Sequence, residues 1–248
     1  MARRDGRAAG DLRAITINPE FPTNAMGAAL IECGKTTVLC GASVDENVPR
    51  WMRQKDVEVT GWVTGEYSLL PYATPDRSAR ESAMGRVGGR THEIQRLIGR
   101  ALRAGVKLGE LGPRTIWVDC DVLRADGGTR TAAITGGFVA LARAIEELIA
   151  EGKLGRSPLT CQVAAISVGV VDGEPVLDLC YEEDVAAEVD MNVVKTSLGG
   201  YVEVQGTAEG KAFDRKQLDA MLALADEGLE RIFRMQREVL GGDFLWRS

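Results

Sequence analysis

Asp126-Gly127-Gly128-Thr129-Arg130-Thr131 follows a strand-like run from Thr115 to Leu123 and opens a helical pattern at about Thr131. Two consecutive glycines permit positive φ, so successive N–H groups can converge on one oxyanion. The free N–H groups and dipole of the following helix favour negative charge at the same place. Arg130 adds a forked, permanently charged donor, and the chemistry this suits is phosphate binding. A plainer role, a Gly-Gly loop with Asp126 or Thr129 as helix cap, accounts for the same residues. The segment is neither a Walker loop nor a dinucleotide fingerprint, because the Lys-Ser/Thr ending and the Gly-x-Gly-x-x-Gly spacing are missing.

The second group of candidates is acidic. Glu182-Glu183-Asp184 reads as the end of one strand and Glu188-Val189-Asp190-Met191-Asn192 as the start of the next. Alternation puts Glu188, Asp190 and Asn192 on one face and Val189, Met191 and Val193 toward the core, so Asp184 and Asp190 can meet across the connection. Such carboxylates can hold Mg²⁺ or supply a general acid, and a solvent-facing acidic turn is the alternative. His92 is the single histidine, so the chain offers neither a convincing zinc site nor a serine- or cysteine-type triad. The five cysteines, Cys33, Cys40, Cys120, Cys161 and Cys180, lack a Cys-x-x-Cys pair and mostly sit in apolar runs, the pattern of buried free thiols in a reducing compartment.

A net charge of −6 argues against a surface coated uniformly for nucleic acid. The charge is unevenly placed, however: Arg77, Arg80, Arg86, Arg90, Arg96, Arg100 and Arg103 are accompanied only by Glu81 and Glu93. A solvated helix face with subunit-contact arginines accounts for Arg96, Arg100 and Arg103 without any polyanion. Arginine without lysine nevertheless favours bidentate recognition of phosphate or carboxylate.

The elements that must position these groups follow from periodicity. Ala14 to Asn18, Ala28 to Cys33, Thr36 to Val44 and Val57 to Tyr67 read as strands, with a hairpin at Gly34-Lys35. Pro71 to Gly89 is a long loop with room for a short helix. Thr91 to Val106 is a helix capped by Thr91, which sets Arg90 at its start, and Ile116 to Leu123 leads through the glycines into a helix ending near Glu151 with Ile134, Phe138, Leu141, Ile145 and Leu148 on its buried face. Gln162 to Val171 and Pro175 to Tyr181 flank a turn at Asp172-Gly173-Glu174. Glu188 to Thr196 and Tyr201 to Gln205 meet at Gly199-Gly200, and Asp214 caps a last helix from Arg215 to Val239. Strands precede a helix twice, so the 248 residues read as α+β with two pseudo-related halves. The apolar runs are too short for a membrane span and the N-terminus lacks a signal peptide's apolar segment, so a cytoplasmic protein is expected.

An ordered set of pieces goes further: Arg3-Arg4-Asp5-Gly6-Arg7, Leu12-Arg13, Arg80-Glu81-Ser82, Gly89-Arg90-Thr91-His92-Glu93-Ile94-Gln95-Arg96-Leu97-Ile98-Gly99-Arg100, Asp119-Cys120-Asp121-Val122, Asp126 to Thr131, Tyr181 to Asp184 and Val189 to Asn192. From near residue 1 to about residue 240 the chain resembles the ribonuclease PH family of bacterial phosphorolytic exoribonucleases. The resemblance implies the ribonuclease PH fold (ribosomal protein S5 domain 2-like), with mixed sheets packed on helices, as a single domain over residues 1–240 followed by a flexible tail, 241–248. It implies a reaction in which inorganic phosphate, the co-substrate, attacks the 3′-terminal phosphodiester of RNA, above all of tRNA precursors, and releases a nucleoside 5′-diphosphate; the reverse reaction adds nucleotides.

By that resemblance Arg90, Gly128, Thr129 and Arg130 hold the phosphate, and Asp184 and Asp190 are the acidic, Mg²⁺-associated catalytic residues. Arg77 and Arg80, with neighbouring Arg86, contact RNA, and the subunits form a homohexamer, a trimer of dimers. His92 is expected to pack or support rather than donate a proton. Tyr72 stands where the family pattern leads one to expect an arginine, so one RNA contact is either absent or replaced by stacking of Tyr72 on a base. Two other functions are compatible with the same fold or nest: an inactive RNA-guiding subunit of an exosome-like ring, and an enzyme acting on a small phosphate ester.

Overall fold

The computed structural model describes residue 3 and residues 5–53 and 59–242. Its first sheet is built from β1 (Ile15–Asn18), β2 (Gly27–Cys33), β3 (Thr36–Asp45), β4 (Trp62–Leu69) and β5 (Thr115–Arg124). The order is β1-β2-β3-β5-β4, with β4 parallel to β5 and every other pair antiparallel. Val38, Cys40 and Ala42 of β3 and Val118, Cys120 and Val122 of β5 are buried at every second position, as the two-residue period of a strand dictates. Two helices, α1 (Gly89–Arg103) and α3 (Thr129–Ala150), pack against this sheet, and each fully buried Val, Ile or Leu contributes roughly 1.5–3 kcal/mol.

The second sheet contains β6 (Val163–Val171), β7 (Glu174–Leu177), β8 (Val189–Thr196) and β9 (Tyr201–Ala208) in the order β7-β6-β8-β9. It is antiparallel throughout, so only the first sheet is mixed. Asp172 (φ 51°) and Gly173 (φ 77°) make the two-residue turn between β6 and β7. Helix α5 (Arg215–Leu240), capped by Asp214, covers one face through Met221, Ala225, Leu229, Ile232 and Phe233. Val189, Met191 and Val193 of β8 join that core, and Asp190 and Asn192 lie on the opposite face.

Helix α3 lies between the sheets, touching β2, β3, β5 and β6. Burial is therefore almost all round: beside the expected large residues, Ala132, Ala133, Gly136, Gly137, Ala140 and Ala142 are buried where strands approach closely.

Several expected boundaries move. Gly88 rather than Thr91 precedes α1; Thr91 lies inside the helix, and its hydroxyl donates to Glu81 Oε1 at 2.8 Å. Helix α3 starts at Thr129 rather than Thr131, behind Gly128 in the left-handed region, and neither Asp126 nor Thr129 acts as its cap. The strand after the 172–173 turn ends at Leu177, so Glu182, Glu183 and Asp184 lie on a short helix, α4 (Tyr181–Ala186), rather than at a strand end. A one-turn helix, α2 (Leu108–Leu111), is too short to carry a periodic signal in the sequence, and the long 71–89 segment holds a short 3₁₀ turn at Glu81–Met84. Strand β4 starts at Trp62; Val57 and Glu58, the expected start, lie outside the described residues, as do Arg4 and all but the first two residues of the expected tail. Among the described residues no helix is long and apolar enough to cross a membrane.

Candidate active site

A cleft of about 1110 Å³ opens where the two sheets meet. Its floor is the turn from β5 into α3, where Gly127 (φ 73°) and Gly128 (φ 66°) take a conformation that side chains disfavour. No acceptor among the described residues is found for the N–H groups of Gly127, Gly128 and Thr129. Free donors at the N-terminus of a 22-residue helix, in a left-handed turn, form an anion nest.

The other polar groups of this turn are tied down from beneath. Thr36 Oγ1 accepts from Asp126 N at 2.9 Å and donates to Gly127 O at 2.7 Å, and Arg13 Nη1 donates to Asp126 O at 2.6 Å. Arg13 is itself buried and clamped by Asp178 at 2.7 and 3.1 Å. A Cβ on Gly127 would stand 2.7 Å from Leu179 O, so glycine is required there by space as well as by φ. Tyr67, buried on β4, donates from its hydroxyl to Thr129 Oγ1 at 2.9 Å. That contact occupies a lone pair of Thr129 Oγ1 and leaves the threonine's own proton for another acceptor.

Arg90 and Arg130 occupy the second positions of α1 and α3, and both line the cleft. Arg130 Nη1 donates to Gln205 Oε1 at 2.9 Å and lies 3.5 Å from Glu93 Oε2, so β9 and α1 hold the guanidinium in place. Asp184 from α4 and Asp190 from β8 complete the lining. Burial raises the Asp184 carboxyl, opposed by the charges of Arg130 and Arg90. Burial and the Asp184 carboxylate push Asp190 up to about 6, with Arg130 opposing. Asp184 thus lies within electrostatic reach of both arginines, and Asp190 within reach of Asp184 and Arg130.

Not every expected residue joins them. Glu183 is buried in a fork with Arg3 at 2.6 and 2.5 Å and accepts from Cys180 N, a structural task that removes it from the acidic cluster. Glu188 accepts from Gly173 N at 2.7 Å and Glu182 remains at the cleft. Arg77, Arg80 and Arg86 are exposed on the 71–89 segment, outside the cleft lining of this chain. His92 is exposed, does not line the cleft and pairs with Gln95 at 3.1 Å.

Sequence reasoning missed Tyr67, Thr36, Asp178, Gln205 and Tyr181 as parts of the site. Arg13 carried a motif signal, whereas Asp178, with φ 56° and no neighbouring pattern, carried none. Among the described residues no group of three His, Cys, Asp or Glu side chains could cage a metal. Two carboxylates facing an anion nest instead suit Mg²⁺, which keeps waters and shares carboxylates with substrate phosphates.

Models of the 3′ exoribonuclease family match in chain order, domain 1 over residues 11–169 and domain 2 over residues 161–228. Similar solved structures include rice (Oryza sativa) Rrp46, at 20% identity over 96% of this chain and 100% of that one, with a TM-score of 0.76. The Archaeoglobus fulgidus exosome with RNA bound to the active site matches at 22% identity over 95% and 91%, with a TM-score of 0.76. An archaeal exosome core matches at 20% identity over 96% and 90%, with a TM-score of 0.72. These structures share the fold of two sheets about a central helix, and the family models span the nest and the second sheet alike: the chain belongs to the 3′ exoribonuclease family.

Proposed function

We propose that this protein is a phosphorolytic 3′–5′ exoribonuclease that trims the 3′ ends of tRNA precursors. The observation that carries the reading is the convergence, in one cleft, of a helix-start nest and two arginines opposite two carboxylates. Inorganic phosphate is anionic at neutral pH and needs positioning more than a base. Seated on Gly128, Thr129, Arg130 and Arg90, it is aimed at the scissile phosphorus while the guanidinium charge offsets repulsion between the two anions. A P–O bond forms to the attacking phosphate, the P–O3′ bond breaks, and the departing 3′-oxygen takes a proton. Asp190, held near 6, retains part of its proton near neutrality and can deliver it. Alternatively the ionised Asp184 and Asp190 would hold Mg²⁺, which when bound would take the place of that proton by Lewis-acid stabilisation of the leaving oxygen.

Arg77, Arg80 and Arg86 grip the body of the RNA in this reading. Repetition of these patches around a homohexameric ring, a trimer of dimers, lets an acidic subunit bind a polyanion. We place the activity in the cytoplasm. The likeness to exosome chains also suits an inactive RNA-guiding ring subunit; the joint presence of Arg90, Arg130, Asp184 and Asp190 in one cleft favours the enzyme.

Incubation of the protein with a 3′-extended tRNA and Mg²⁺, with and without inorganic phosphate, separates the readings. Phosphate-dependent shortening with release of nucleoside diphosphates is expected. Binding without shortening points to the guide subunit, and release of monophosphates without phosphate points to hydrolysis. Arg130→Ala is expected to lower phosphorolysis about 10²- to 10³-fold while RNA binding, measured by gel shift, is largely kept. An equal loss of both contradicts the role given to Arg130.

A further inference from the structure

Asn192 stands two residues past Asp190 on the cleft-lining face of β8, which sets their Cα atoms roughly 7 Å apart and makes the two side chains neighbours. It is only 7% exposed. A buried carboxamide is ordinarily hydrogen-bonded, because an unpaired amide away from water costs free energy. Its neighbours across the sheet obey this rule. Ser167, its register partner on β6, accepts through Oγ from Leu179 N at 3.1 Å, and Gln205, its partner on β9, accepts through Oε1 from Arg130 at 2.9 Å. The Asn192 amide has no hydrogen-bond partner among the described residues, and its polar atoms are open to the cleft. What completes it must come from a ligand.

The amide's chemistry narrows the choice. An anion wants donors alone, and the nest with Arg90 and Arg130 supplies them. A carboxamide both donates and accepts, and a hydroxyl does the same. In the reaction proposed above, Asp190 hands its proton to the 3′-oxygen of the ribose that stays on the shortened strand. The 2′-hydroxyl sits on the adjacent carbon of that same ribose, and it is the group that tells RNA from DNA. A side chain beside Asp190 is placed to meet it.

We propose that Asn192 is a specificity-determining residue that exchanges hydrogen bonds with the 2′-hydroxyl of the penultimate nucleotide, the one whose 3′-oxygen departs. A strand lacking that hydroxyl leaves the buried amide unpaired, which disfavours it. The proposal rests on the phosphorolytic reading of the cleft and adds to it a means of choosing the sugar.

Single-turnover shortening of a 3′-extended tRNA, and of the same RNA with 2′-deoxyribose at the penultimate nucleotide, tests it on the wild type, Asn192→Ala and Asn192→Leu in saturating phosphate and Mg²⁺. Any effect of the deoxy sugar on the leaving oxygen itself is common to all three proteins and cancels in the comparison. The wild type is expected to favour the all-ribose substrate. Each variant is expected to lower that preference about 5- to 10-fold by slowing the all-ribose substrate, with the deoxy substrate changed less than about 2-fold and KM for phosphate unaltered. Leucine fills the volume of the amide, so agreement between the two variants separates lost hydrogen bonds from a void. A wild type indifferent to the deoxy sugar, or variants that keep the wild-type preference, refutes the contact while the phosphorolytic reading stands. A raised Mg²⁺ requirement or phosphate KM with the preference unchanged assigns the amide to the metal or the nest and also refutes it. If the wild type fails to shorten the all-ribose substrate with phosphate present, the phosphorolytic reading falls and the inference with it.

Discussion

Asp190 combines the role proposed for it in proton transfer with a burial that costs stability. Its carboxyl, with an ordinary value of 3.8, is raised to about 6 by burial and by Asp184. The folded chain therefore holds this proton more tightly than the unfolded chain does. The associated stability is complete below about pH 4 and is lost as the pH rises through about 6. With a discount for partial solvent screening, the loss at neutral pH is roughly 1–2 kcal/mol. Asp190→Asn is expected to unfold at higher urea than the wild type at pH 7.5, with the gap closing near pH 4, while its phosphorolysis falls about 10²-fold or more. A gap independent of pH would show that the titration of this carboxyl is not its source. The same residue was visible in the sequence as part of an acidic pair; the elevation was not, because it depends on a neighbour from α4 and on the cover that the cleft provides.

At the scale of elements, the turn into α3 carries the site because two glycines differ in what surrounds them. Gly127 faces backbone at 2.7 Å, whereas the nearest atom to a Cβ on Gly128 is Arg13 Nη2 at 3.0 Å. Backbone cannot yield as a side chain can. Gly127→Ala is therefore expected to cost more than the roughly 1–2 kcal/mol of a left-handed alanine and to weaken phosphate binding, read by calorimetry, more than Gly128→Ala does. Equal effects would mean that φ alone matters. The strand–turn–helix order and the Gly-Gly pair made this turn legible in advance. Helix α3 starts two residues before its helical pattern suggests, because a left-handed glycine leads into it with no side-chain cap to mark the place. Likewise Glu182 to Asp184 looked like a strand end; they form α4 because Glu183 is pinned by Arg3 from the far end of the chain.

At the scale of the whole molecule, the N-terminal segment ties the halves together. Arg13 and Asp178 form a buried pair across the two sheets, and Arg13 also holds the carbonyl of Asp126 under the nest. Removing one partner strands a buried charge, so Asp178→Asn is expected to cost about 3–5 kcal/mol, whereas the double change Arg13→Met with Asp178→Asn, whose asparagine tolerates the positive φ of position 178, should recover part of that stability. Denaturant unfolding of Arg13→Met, Asp178→Asn and the double variant checks this; additive losses would rule out the pair as a unit. The double variant should still bind phosphate poorly, since the Asp126 carbonyl loses its anchor.

By itself the sequence determined the α+β order, most strand and helix spans, and the identity of Arg90, Arg130, Asp184 and Asp190 as candidates. Each of these is written in local periodicity, in turn chemistry or in an ordered motif. Tertiary structure alone decided that these four converge on one cleft, that Glu183 belongs to the frame and that Tyr67, Asp178 and Tyr181 surround the nest. Those facts depend on contacts between residues up to 180 positions apart, as between Arg3 and Glu183, which no local pattern records.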